Sequence, residues 1–126
     1  MKSLFISTLL IVLLLLNWIF TFNFIADTSK ELTMLTQKIE YNIVKDQWFS
    51  AQKNLKLLET KWNNSLKILK LVINHDEIEK TNLSLIKVRK YILTQNKDNL
   101  LVETSLLKFH INHIKENESL SLRNIF

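Results

Sequence analysis

The chain is 126 residues long with a formal net charge of +5, 47% hydrophobic residues, and no glycine, proline or cysteine. Without cysteine there is no disulfide framework, thiolate metal site or thiol nucleophile. Without glycine there is no P-loop, dinucleotide fingerprint, nucleophile elbow or standard calcium loop. The length admits one small domain and an anchor, and the missing hairpin-turn residues leave helices joined by short polar turns.

The first element is an anchor. Every residue from Ser3 to Ala26 is uncharged, and sixteen of the 23 from Leu4 to Ala26 are Leu, Ile, Phe or Val. At roughly 0.3–0.6 kcal/mol each these favour insertion by about 5–10 kcal/mol, which outweighs Asn17 and Asn23. At 1.5 Å per residue the stretch spans about 35 Å, so it crosses a ~30 Å hydrocarbon core with some tilt. A cleaved signal peptide is the competing reading, since the segment is N-terminal and follows Lys2. The apolar stretch is longer than the usual signal core, and Phe24-Ile25-Ala26 lacks the small-x-small pattern of a cleavage site. Lys2 precedes the span and Asp27 follows it, so the positive-inside rule places the N-terminus in the cytoplasm and residues 27–126 outside.

Helical spacing continues through the rest. Leu32, Leu35, Ile39 and Ile43 predict a helix over about 28–45, with no breaker separating it from the span. Asp46 is the expected N-cap of a second helix bearing Trp48, Ala51, Leu55, Leu58, Trp62, Leu66, Leu69 and Ile73. Asn74 to Glu77 has the form of a capping box and starts a third helix with Ile78, Leu85, Val88 and Ile92. Asp98 is the expected cap of a fourth helix with Leu100, Leu107, Ile111 and Ile114. Residues 116–126 are expected as a short helical end or an ordered tail. Connections of two to four residues make neighbouring helices antiparallel. The expected fold is all-α: an anchor over residues 1–26, then a three- to four-helix bundle over 27–126. Trp48 and Trp62, two heptads apart on one face, are expected as its largest core residues.

From Trp48 onward the chain resembles a family of small membrane-anchored proteins catalogued as domain of unknown function 4363. Trp48, Ala51, Leu58 and Trp62 match its first helical element, His75-Asp76-Glu77-Ile78 a second, and Tyr91-Ile92 a pair often found there. Glu118-Ser119-Leu120-Ser121-Leu122-Arg123-Asn124-Ile125-Phe126 matches its ending. The resemblance covers about two thirds of the chain, together with the anchor in kind. It implies an extracytoplasmic helical domain in low-GC Gram-positive bacteria, and it implies no activity.

Few constellations offer chemistry. His75, His110 and His113 are the only histidines, and antiparallel helices bring His75 and His113 to one, membrane-proximal end. With Glu116 they form the candidate metal ligands. Ordinary turn chemistry explains the same residues, because acidic groups suit the third helix's start and histidines the fourth helix's end. Lys53, Lys56, Lys67 and Lys70 fall on the second helix opposite its tryptophans, where they suit anionic lipid, acidic wall polymer or water alone. Asn124, Ile125 and Phe126 are candidate contacts, docked on the bundle or on a partner. No serine lies in a triad spacing, so no enzyme is expected. No cofactor and no nucleic acid partner are expected either.

Two functions remain. The first is a single-pass membrane protein whose outer bundle contacts a protein partner or serves envelope structure, with Trp48 and Trp62 as interaction candidates. The second is an extracytoplasmic sensor holding a small molecule or metal and working with a partner protein. A pocket lined by Trp48, Trp62 and Tyr91 favours the second; a filled core with an exposed apolar strip favours the first.

Overall fold

A computed structural model describes the backbone of residues 1–125 and side chains through Asn117. Among the described residues there are four helices and no strand: α1 (Lys2–Val44), α2 (Trp48–Val72), α3 (His75–Leu93) and α4 (Lys97–Ile125). α1 packs against α2 and α4, and α3 packs closely on α4 and more sparsely on α2. Among the described residues the α1 and α3 backbones, and those of α2 and α4, do not approach closely, as expected of diagonal helices in an up-down bundle. The stripe of apolar positions in each helix is what turns inward. Ile25, Leu32 and Ile39 recur every seven residues in α1 and meet Leu58, Trp62 and Leu69 of α2, Val88 and Ile92 of α3, and Leu100, Leu107 and Ile111 of α4. Each such side chain contributes about 1.5–3 kcal/mol on leaving water.

α1 has 43 residues and is about 65 Å long. The span and the helix expected over 28–45 are therefore one continuous element. Its first half holds an 18-residue window of mean hydropathy 2.4, none of it buried. That half is long and apolar enough to cross a membrane, and its residues up to Asn17 are exposed. The second half is a core helix. The change comes at Phe24 and Ile25, which already pack in the bundle although they belong to the uncharged stretch.

The turns correct two expected caps. Asp46 is not an N-cap: it lies just past the end of α1 with φ 57°. Its N–H donates to the Ile43 carbonyl at 3.0 Å, and the Gln47 N–H to the Asn42 carbonyl at 2.8 Å. This pair of bonds is a Schellman motif, whose left-handed position is normally glycine. The end of α3 repeats it. Gln95 has φ 52°, with Gln95 N–H on the Ile92 carbonyl at 3.2 Å and Asn96 N–H on the Tyr91 carbonyl at 2.9 Å. Asp98 is likewise not the cap of α4 but a first-turn residue. Asn96 takes the capping role, its Oδ1 accepting from the Asn99 N–H at 3.3 Å. Asn74 does cap α3, accepting from the Asp76 N–H at 3.3 Å. Residues 116–125 continue α4 to Ile125.

A chain without glycine places two β-carbons in the left-handed region, and glutamine tolerates that less well than aspartate. Gln95→Gly is expected to stabilise the bundle by about 0.5–1 kcal/mol, raising Tm by about 2–8 °C. Thr94→Gly, one residue earlier in a right-handed helical conformation, is expected to lower it. Thermal melts of the two variants followed by circular dichroism check the pair of signs.

Candidate functional site

Polar contacts link neighbouring helices around the bundle. Lys61 of α2 pairs with Glu31 of α1 at 2.8 Å, and Asn54 Nδ2 donates to Asn42 Oδ1 at 2.7 Å. Lys108 of α4 pairs with Glu40 of α1 at 2.9 Å, both largely covered. Between α3 and α4, the Ser84 hydroxyl donates to buried Glu103 at 2.8 Å. Arg89 of α3 donates to Glu59 of α2 at 2.8 Å. That hydrogen bond, with the carboxylate's charge, raises the Arg89 pKa above its ordinary value against a small opposing effect of burial. These contacts specify which helix meets which, more than they stabilise.

The histidines go to separate partners. His75 Nε2 lies 3.0 Å from Glu79, one turn along α3. His113 Nε2 lies 3.3 Å from Glu77, a buried carboxylate whose Oε2 has no hydrogen-bond partner among the described residues. The contact places the α3 start beside the later part of α4, as antiparallel packing requires. His110 makes an edge contact with Phe109 at 5.9 Å between ring centres. Among the described residues, no three His, Asp or Glu side chains stand close enough to share an ion. Glu77, placed by sequence in a capping box, is thus drawn inward to His113. Nothing in its local sequence signals that burial.

The aromatic candidates also separate. Trp62 is 2% exposed, and its Nε1–H donates to Asn82 Oδ1 at 2.6 Å. Trp48 is only half-buried against the core, because it opens α2 at the bundle's end; the expectation of two equal core tryptophans is corrected there. Trp62 borders a small open cleft of about 230 Å3 with Glu59, Asn82 and Arg89. Trp48 stands fourteen residues from it along α2, about 21 Å, so the two cannot line one pocket. Tyr91 is half-buried at the C-terminal end of α3. Lys53, Lys56, Lys67 and Lys70 are all exposed, with Lys53 Nζ 4.7 Å from the Phe49 ring centre. The side chains of Asn124, Ile125 and Phe126 lie outside the described residues.

One surface was not anticipated from the sequence. Val102, Leu106 and Phe109 are exposed and recur at four and three residues, which aligns them on the outer face of α4. Phe109 continues the strip by stacking on the His113 ring, with centres 6.0 Å apart and planes 9° from parallel. The signal was present as a second apolar register beside Leu100, Leu107 and Ile111. Only burial distinguishes the two registers.

The sequence profile of one family, described as Domain of unknown function (DUF4363), matches residues 19–125. The chain belongs to that family. The matched region takes in α2, α3, α4 and all of α1 from Ile19 onward, so the match covers the bundle together with the last turns of the uncharged stretch. Its description assigns no function. Nothing among the curated proteins or the solved structures matches the chain.

Proposed function

We propose that this family member is a single-pass membrane protein of the cell envelope that presents its bundle outside the cytoplasm for contact with a protein partner. The observation that carries this reading is the exposed strip of Val102, Leu106 and Phe109 on a bundle whose core is already filled. A run of exposed apolar side chains on one helix face is the kind of surface that marks a protein-interaction site. The anchor reading rests on the bare apolar half of α1, and the orientation on Lys2 before it and Asp27 after it. Retention of the anchor is supported by Phe24 and Ile25, since cleavage before Asp27 removes two side chains from the core. No catalytic role is assigned, because buried Glu77 and Glu103 pair across helices with His113 and Ser84, while His75 pairs with Glu79 on its own helix.

A photoreactive amino acid at Phe109, in the full chain in its native membrane, tests the reading. It is expected to give a discrete protein adduct that the same group at Lys87, exposed on α3, does not give. Equal yields at the two positions, or none at Phe109, would remove the interaction role. Loss of the adduct in Val102→Ser, with Tm unchanged, adds that the strip itself makes the contact.

A further inference from the structure

We infer that the C-terminal end of α2 docks into the lipid headgroup layer, with Leu71 and Val72 entering it and Lys67 and Lys70 meeting phosphates. This rests on the proposed membrane span, and it adds a second point of attachment that the span alone does not require. The argument starts from register. Glu31 pairs with Lys61, Asn42 with Asn54, and Leu35 and Leu57 line one cleft between them. Antiparallel helices advance together at about 1.5 Å per residue. Continued past Lys61, this pairing sets Lys67 and Lys70 beside Ile25 and Phe22, and Leu71 and Val72 beside Thr21 and Phe20. The end of α2 therefore overlaps the uncharged part of α1. Lys53 and Lys56 share a helix face with the other two, yet Lys53 stands about 25 Å further along, several Debye lengths from any surface that Lys70 touches.

Two further observations point to lipid. Leu71 is 83% exposed, more than any other large apolar side chain among the described residues outside the first half of α1. The stretch of α1 exposed without interruption, Ser3 to Asn17, is about 22 Å long, short of a ~30 Å hydrocarbon core. Burying the rest of the uncharged stretch draws the α2 end down with it. An exposed leucine beside two lysines is the chemistry of an interfacial helix end, apolar inward and cationic toward phosphate. Asp76, exposed in the first turn of α3, is the nearest following acidic group and sits beyond the α2–α3 turn.

The chain has no cysteine, so single-cysteine variants report one position each. The full chain with Leu71→Cys, Lys53→Cys or Leu10→Cys is labelled with an environment-sensitive fluorophore in phosphatidylcholine–phosphatidylglycerol vesicles. Quenching is then read from headgroup-level nitroxide lipids and from aqueous iodide. The Leu71 label is expected to be quenched by the nitroxides and several-fold less by iodide than the Lys53 label, with the Leu10 label inaccessible to iodide. If Leu71 and Lys53 labels are equally open to iodide while Leu10 is embedded, the docking is wrong and the span stands. An iodide-accessible Leu10 label overturns both. A Leu71 label shielded from iodide and untouched by the nitroxides means that protein covers it, which also overturns the proposal. Adding Lys67→Glu and Lys70→Glu is expected to return the Leu71 label toward water; unchanged shielding would remove the lysines from the docking.

Discussion

Trp62→Ala is expected to destabilise the bundle by about 3–5 kcal/mol, the range for losing a buried indole and leaving a cavity. The residue is 2% exposed and packed at the centre of α2. Its loss also strips Asn82 Oδ1 of the donor it holds at 2.6 Å. Domain stabilities are about 5–15 kcal/mol, so the change takes a large share of the total. Each kilocalorie shifts Tm by about 4–8 °C in a domain of this size, which predicts a fall of at least about 12 °C. Trp62→Phe keeps most of the packing and loses the hydrogen bond, and is expected to cost about 1–2 kcal/mol. Helical ellipticity against temperature, with the chain in detergent micelles, measures both. A cost below about 1 kcal/mol for the alanine variant would show that neighbouring helices close over the site, contrary to a packed core.

Leu10→Arg combined with Leu14→Arg is expected to release the chain from the membrane. Each change replaces a favourable residue with one costing about 2.5–3.5 kcal/mol at a helix centre, so the pair removes about 6–8 kcal/mol. That cancels most or all of the insertion free energy of the uncharged stretch. Both leucines are exposed and touch nothing in the bundle core, so the folded outer domain is expected to melt unchanged. Alkaline carbonate extraction reads the first effect, with the double variant in the soluble fraction and the parent chain in the pellet. Leu10→Ala with Leu14→Ala is expected to remain in the pellet. Retention of the double arginine variant after extraction would mean that the apolar half of α1 is not what holds the chain.

Helix existence was legible from the sequence because it depends on neighbours three and four residues apart. The stripes Leu32–Ile39–Ile43 and Leu100–Leu107–Ile111 are where they were expected, and both are buried. Helix boundaries were less legible. Aspartate and asparagine suit an N-cap and a left-handed C-terminal position alike. At Asp46 the backbone bonds from Asp46 and Gln47 back into α1 decide for the second. At α4 the choice between Asn96 and Asp98 is settled by the 3.3 Å bond from Asn99. The polar seams were not legible at all. Glu77 and Glu103 look like any solvated acid in a helix, and only the approach of α4 to α3 supplies His113 and Ser84 as partners.

By itself the amino-acid sequence determined an all-helical chain, an N-terminal segment able to cross a membrane, and membership of the family. Those properties follow from composition, short-range periodicity and ordered motifs, all of which are local. The tertiary structure decided which tryptophan is core, which apolar register of α4 stays exposed, and which carboxylates are covered. The Lys61–Glu31 pairing also sends Lys67 and Lys70 toward the uncharged part of α1 and Lys53 and Lys56 away from it. Four lysines on one helix face are equivalent to a reading of periodicity. Their distance from a membrane depends on how α2 folds back along α1, a relation between residues some thirty or more positions apart.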